Sequence, residues 1–210
     1  SLNPLDWTYI TSSSDGSKLA ALASYSQIHT SADSGASWTA LQASIFLVNA
    51  ITSSADGSKL ACTSKYGGSF GEGQIYTSTD SGATWTARES NRYWRSSITS
   101  SADGSKLAAA DSYGAIHTST DSGVTWTAQA IVERWASIPS SADGRKLAAA
   151  SSNGKIYTST DFGVTWTARE SNRKWSSITS SADGSKLAAA VYEGQIYTSM
   201  DSGVTWTAWE

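Results

Sequence analysis

Apolar side chains recur along this chain at three fixed phases. Ile10, Ile51, Ile98, Ile138 and Ile178 mark the first, and Leu19, Leu60, Leu107, Leu147 and Leu187 the second. Ile28, Ile75, Ile116, Ile156 and Ile196 mark the third. Each sits in a short run bounded by Asp, Gly or Ser, the pattern of a strand between tight turns. The last copy shows the unit. Trp175 to Ser180 and Leu187 to Val191 are two β-like runs around a turn at 182–186. Glu193-Gly194 turns the chain, Gln195 to Ser199 is a third run, and Val204 to Ala208 a fourth. The recurring Ile and Leu positions are the expected core.

Two turn motifs repeat with these runs. The octapeptide S-x-D-x-G-x-(S/T)-W occurs five times, with its Asp at 33, 80, 121, 161 and 201, spacings of 47, 41, 40 and 40 residues. Asp-Gly pairs begin at Asp15, Asp56, Asp103, Asp143 and Asp183. A fixed period near 40 means one supersecondary unit stacked five times. Four short strands per unit with Gly or Asp at the turns predict an all-β fold. We expect a five-bladed β-propeller with four antiparallel strands per blade, lettered A to D from the axis outward, and about 40 residues per blade. The octapeptide is then the C–D turn. Its Asp accepts hydrogen bonds from its own turn, Gly35 and its equivalents supply positive φ, and Trp38, Trp85, Trp126, Trp166 and Trp206 fill space between blades. All three roles are structural. The domain is expected to be single, 1–210, with blades at about 1–41, 42–88, 89–129, 130–169 and 170–210. Because strand A comes first and D last, each blade should be contiguous, and ring closure should rest on blade 1 packing against blade 5.

The five octapeptides resemble the Asp box of the bacterial neuraminidase repeat family of β-propellers. The resemblance covers nearly the whole chain. That family includes sialidases, sortilin-type receptors, photosystem II assembly factors and lectin-like proteins, so the resemblance implies a fold more than a job. It points to the lectin-like or assembly-factor-like members rather than to a sialidase proper. A sialidase usually needs six blades, an Arg triad, a Tyr nucleophile paired with Glu and an Asp acid/base. Here there is no Arg-Ile-Pro segment near the start, and the Arg residues repeat with the blades.

Composition narrows the classes. A formal charge of -3 argues against nucleic acid as a partner. Cys62 is the only cysteine, so no internal disulfide or cysteine-based zinc site is expected. No apolar run is long enough to enter a bilayer. The chain starts at Ser1 without an initiator Met, which leaves secretion open, and an extracellular location is favoured. No cofactor or metal is expected.

Charge separates by face. Of 12 Asp, all but Asp6 and Asp111 lie in A–B or C–D turns, beside Lys18, Lys59, Lys106, Lys146 and Lys186. Of 7 Arg, all but Arg145 lie in D–A loops. Those loops read R-E-S-N-R-x-W at 88–94 and 169–175, with a degraded copy at 129–135. Trp on sugar rings, with Arg, Glu and Asn on hydroxyls, makes a lectin-like site. The candidates are Trp94, Trp135 and Trp175 for stacking, and Glu89, Asn91, Arg92, Arg134, Glu170, Asn172 and Arg173 for polar contacts. Tyr113, Tyr192 and Glu193 in the B–C loops join them. The bland reading is that these Trp wedge between blades and the Arg and Glu pair with each other. Blade 2 differs: its D–A loop is apolar and its B–C loop carries a six-residue insertion. Phe46, Tyr66 and Phe70 could form a partner patch there, or the long loop buries the apolar one. Catalysis is not expected, because no pair among Glu89, Glu133, Glu170 and Glu193 is singled out. His29 and His117 stand where other blades have Tyr and read as packing residues. Three readings stay open: a glycan-binding propeller with repeated sites, a protein-binding scaffold, and an engineered repeat protein without a natural ligand.

Overall fold

A computed structural model describes residues 6–23, 27–41, 45, 47–67, 71–88 and 92–210. Glu89, Asn91, Phe46 and Phe70 lie outside the described residues, as does the side chain of Tyr66. The A strands are Trp7–Ser12, Val48–Ser53, Trp94–Ser100, Trp135–Ser137 and Trp175–Ser180. The B strands are Leu19–Ala23, Leu60–Ser64, Leu107–Asp111, Leu147–Ser151 and Leu187–Val191. The C strands are Gln27–Ser31, Ile75–Ser78, Ala115–Ser119, Ile156–Ser159 and Ile196–Ser199. The D strands are Thr39–Ala40, Thr86–Ala87, Thr127–Val132, Thr167–Ala168 and Thr207–Trp209. They form five antiparallel sheets of four, each in the order A-B-C-D, so every blade is contiguous in sequence. The A strands of successive blades pack on one another and line the axis. Each A strand slips register just after its first residue, in blade 5 between Trp175 and Ser177. Such a bulge re-aims the side chain at the strand entrance.

The fourth strand starts later than the sequence pattern predicts. Val204 and Thr205 still belong to the C–D turn: the Val204 N–H donates to the Asp201 carbonyl at 3.4 Å and the Thr205 N–H to Asp201 Oδ1 at 2.8 Å. The turn needs two successive left-handed residues. In blade 1 these are Ser34 at φ 58° and Gly35 at φ 89°, and in blade 4 Phe162 takes the Ser34 position at φ 60°. The Asp fastens the turn. Asp121 accepts from the Ser119 hydroxyl at 2.8 Å, the Thr125 N–H at 2.9 Å and the Thr125 hydroxyl at 2.6 Å. The Trp N–H donates to the carbonyl of the turn's own Gly, at 3.0 Å from Trp126 to Gly123.

The core lies between blades. One blade supplies small residues of strand B and the Ile of strand C. The next supplies its strand A Ile, its strand B Leu and an aromatic pair. Ala148, Ala150 and Ile156 of blade 4 thus meet Trp175, Ile178, Leu187 and Tyr197 of blade 5. The A–B turns add a backbone ladder. The Ser14, Ala55, Ala102 and Ala142 N–H groups donate to the carbonyls of Ala55, Ala102, Ala142 and Ala182 at 2.6–2.7 Å.

Among the described residues, blade 1 does not pack against blade 5. Ile10 is 66% exposed and Ile196 54%, whereas Ile98, Ile138 and Ile178 and also Ile75, Ile116 and Ile156 are buried. The expectation that blade 1 packs on blade 5 is therefore not met among the described residues, and two positions assigned to the core face outward. Counting strands and turns gives the number of blades but not the rotation between them, which is set by side-chain packing.

Two outcomes are expected. The Asp80, Asp121 and Asp201 carboxyls are held down to about 2 from an ordinary 3.8, first by the Thr hydroxyl of the turn, then by its N–H. A pKa depressed by folding contributes stability that is present above the unfolded value and is lost as pH falls through the folded one. Thermal melts should therefore hold above about pH 4 and fall between about pH 4 and pH 2. A midpoint flat across that window would contradict this. Secondly, a Cβ at Gly144 would meet Lys106 at 2.8 Å, while one at Gly16 meets nothing within 4 Å. Both glycines have φ near 70°. Both alanine variants carry a left-handed penalty of about 1–2 kcal/mol, and G144A adds a clash. G144A should lower the urea midpoint more than G16A.

Candidate functional site

The D–A loops and B–C turns meet at the end of the axis opposite the Asp-rich turns. Backbone bonds tie them together: the Ser152 N–H to the Arg134 carbonyl at 2.6 Å, Tyr192 to Lys174 at 2.8 Å and Lys65 to Leu47 at 2.9 Å. They surround an axial depression of about 570 Å³, lined by Asn49, Lys65, Ser112, Ala136, Ser152 and Tyr192 over the edges of the loop tryptophans. Asn49 is fixed there by its Nδ2 donating to the Trp94 carbonyl at 2.8 Å and by Thr63 Oγ1 donating to its Oδ1 at 2.6 Å.

Trp94, Trp135 and Trp175 do not offer stacking faces, and this corrects the lectin-type site. Each is 1% exposed. Each indole is turned inward, where two aromatic neighbours cover it. Trp94 lies 5.2 Å from His117 and 6.2 Å from Trp126, ring centre to ring centre. Trp135 lies 5.6 Å from Tyr157 and 6.2 Å from Trp166. Trp175 lies 5.2 Å from Tyr197 and 6.5 Å from Trp206. The edge-to-face member of each group is the T-shaped geometry favoured by ring quadrupoles. Trp135 Nε1 donates to the Gly114 carbonyl at 2.7 Å, while Trp94 Nε1 and Trp175 Nε1 are buried without a protein partner.

Two of the acidic candidates, Glu170 and Glu133, are occupied within the loops. Glu170 accepts from the Ser171 hydroxyl at 2.9 Å and from Arg173 Nη2 at 3.4 Å. Burial alone would raise its pKa, but the Ser171 N–H and hydroxyl and the Arg173 charge outweigh that and lower it. The Arg173 guanidinium also sits 4.5 Å over the Tyr197 ring. Glu133 accepts from Ser151 and Tyr157, each at 3.1 Å. Burial and then the Glu133 charge raise the Tyr157 pKa. Arg92 Nη1 lies 3.7 Å from Asp111. These three groups form separate pairs, one per blade, and do not converge on a common point. Arg134, Asn172 and Glu193 are exposed, and Tyr113 and Tyr192 are large exposed rings of this face, at 68% and 61%, as is Trp7 at the blade 1 strand entrance, at 53%.

One buried polar group escaped the sequence reading. Asp111 is 1% exposed and accepts from the Ala115 N–H at 3.0 Å, and its Oδ2 lies 2.9 Å from His117 Nε2. The signal was present in blade 3, where Asp replaces the small or apolar end of strand B and His replaces the strand C Tyr together. In blade 2 the apolar loop is partly buried: Ile45 packs with Ile51 and Leu60, and Leu41 and Val48 border the same cluster. The insertion forms a hairpin, Tyr66–Gly67 with Gly71–Glu72, and Gly73 bridges to Arg92. Among the described residues no group of three His, Cys, Asp or Glu could hold a metal ion.

Solved structures match this architecture over nearly the whole chain. A GH74 enzyme of Niastella koreensis matches at TM-score 0.70 and 23% identity, over 94% of this chain and 30% of that one. The chain is a β-propeller. YCF48 bound to D1 peptide matches at TM-score 0.68 and 18% identity, over 97% of this propeller and 66% of that chain. The nidogen/laminin complex contains a match at TM-score 0.74 and 11% identity, over 97% and 80%. The propeller thus spans less than two-thirds of the first two chains it matches. At these identities the likeness carries the fold alone. No protein-family model matches the chain, and no curated protein sequence does.

The buried tryptophans give a direct check. Trp135→Ala should cost about 3–5 kcal/mol of stability by urea unfolding, as for other buried large aromatics. An exposed recognition residue at that position would cost well under 1 kcal/mol.

Proposed function

We propose that this propeller is a non-catalytic binding scaffold whose D–A/B–C face takes an extended, acidic segment of a protein partner. The observation that carries this reading is the division of labour on that face. The loop tryptophans are buried, while Lys65, Arg134, Lys174 and the rings of Tyr113 and Tyr192 stand exposed beside the axial depression. The carboxylates of Glu133, Glu170 and Asp111 are engaged by their own neighbours, so among the described residues around the depression the exposed cations Lys65, Arg134 and Lys174 outnumber the exposed anion Glu193. Tyr and Arg around a concave centre, on loops held by a rigid scaffold, suit a polypeptide ligand. Propellers of like fold include one whose structure holds a D1 peptide and one in a complex with laminin.

Glycan binding by indole stacking finds no exposed indole among Trp94, Trp135 and Trp175. It remains the competing outcome of one experiment. The folded protein is read on an array of peptides graded in Asp and Glu content, beside a glycan array. Retention should follow peptide acidity, weaken with added salt, and fall about tenfold or more in an Arg134→Glu/Lys174→Glu double variant. Glycan retention with no peptide signal, or peptide retention untouched by the double variant, would overturn the reading.

A further inference from the structure

The B–C turn of blade 4 holds the only Asn-Gly pair of the sequence, Asn153-Gly154. Asn153 is exposed at the tip, the place that Tyr113 takes in blade 3 and Glu193 in blade 5. Its backbone N–H lies 3.5 Å from Ser151 Oγ, and its side-chain amide makes no hydrogen bond among the described residues. The other described asparagines are guarded. Asn49 is half-buried, is bonded through both its amide nitrogen and its amide oxygen, and is followed by Ala50. Asn172 is exposed, but the residue after it is Arg173, whose N–H donates to the Gly154 carbonyl at 2.9 Å and whose side chain lies over the Tyr197 ring.

Packing dictates the residue that follows Asn153. Ser151 Oγ donates to Glu133 Oε2 at 3.1 Å, and this pair lies against Gly154. A Cβ at Gly154 would meet Ser151 Oγ at 2.8 Å, Ser151 Cβ at 3.1 Å and Glu133 Oε2 at 3.3 Å. The turn therefore keeps a residue without a side chain here. The same lack of a side chain leaves the Gly154 nitrogen unhindered as a nucleophile toward the Asn153 amide. A reacting carbonyl and a nucleophile held in one turn need no encounter, which lowers the barrier to their reaction.

We propose that Asn153 is a site of self-modification, losing its amide through a cyclic imide to become aspartate and isoaspartate. The Gly154 N–H gives its proton to a solvent base, and the nitrogen attacks Asn153 Cγ. A C–N bond forms there, and the side-chain nitrogen takes a proton from water and leaves as ammonia. Water then adds to one of the two ring carbonyls, and that carbonyl's bond to the Gly154 nitrogen breaks. Opening at Cγ gives aspartate, and opening at the main-chain carbonyl gives isoaspartate. Nothing is oxidised or reduced, and water is the only co-reactant. Either product puts an anion on a turn tip that was neutral, next to the exposed Lys155. The iso form also adds a methylene to the main chain between Ser152 and Gly154. Ser152 donates to the Arg134 carbonyl at 2.6 Å and Gly154 accepts from the Arg173 N–H at 2.9 Å, so this turn ties two D–A loops together. The site lies inside the row, between the loops that enter blades 4 and 5, and does not rest on the partner reading above.

The test incubates the folded full chain at mildly alkaline pH and follows residue 153 by peptide mapping with mass spectrometry. The Asn153 peptide should gain the mass of an amide-to-acid change and separate into two products, aspartate and isoaspartate. It should convert ahead of the Asn49 and Asn172 peptides. Isoelectric focusing of the native protein should show a new, more acidic band. Asn153→Gln, whose longer side chain disfavours the ring, should keep its single band with unchanged circular dichroism. Asn153 left intact in the folded chain, while the urea-unfolded chain converts, overturns the proposal, because the fold then blocks the attack. So does conversion to aspartate alone, which marks direct hydrolysis without the ring. Conversion of Asn49 or Asn172 ahead of Asn153 also overturns it.

Discussion

The structure depends on one contact made over and over: the wall of a blade against the wall of the next. A single four-stranded blade of some 40 residues has two apolar faces and no way to cover either. Burying an Ile from each side of a junction contributes about 1.5–3 kcal/mol per side chain, and the aromatic pairs add to it. The turns at the Asp-rich end serve that contact. They hold strands C and D and strands A and B at fixed spacing, and they carry the Ala ladder and the Lys bridges from blade to blade.

That division explains where variation is tolerated. The Asp-rich end is almost invariant from copy to copy, because the C–D turn needs its Asp, its Ser or Thr and two left-handed residues at once. The opposite end is free to differ. Blade 3 installs an Asp111–His117 pair where blade 4 installs Glu133–Tyr157, and blade 2 replaces its loop Trp with apolar residues and adds a hairpin.

The sequence made the blades, their order, the turn chemistry and the two faces legible, because each rests on local spacing. The D strand's late start was hidden, since Val204 and Thr205 look like strand residues while their N–H groups are taken by Asp201. The fate of the loop tryptophans was hidden for a different reason. A Trp in a loop reads the same whether it faces water or turns inward: Trp7 and Trp175 enter strand A through the same kind of bulge, yet the first is exposed and the second buried against its neighbouring blade. The exposure of Ile10 and Ile196 was hidden because repeats look alike in sequence even when their neighbours differ. Glu89 and Asn91, candidates of the same loop, lie outside the described residues.

The backbone ladder between blades carries a thermodynamic meaning. An open row of similar units behaves as a one-dimensional chain of nearest neighbours, in which an interior unit is held from two sides and an end unit from one. Among the described residues, blade 3 is then the best-anchored blade of this row, and blades 1 and 5, each seen packed from one side, are the more easily opened. Slow exchange of backbone amides with solvent should accordingly concentrate in the middle of the sequence. Such a row loosens blade by blade, as a zipper does, and does not melt as a single block.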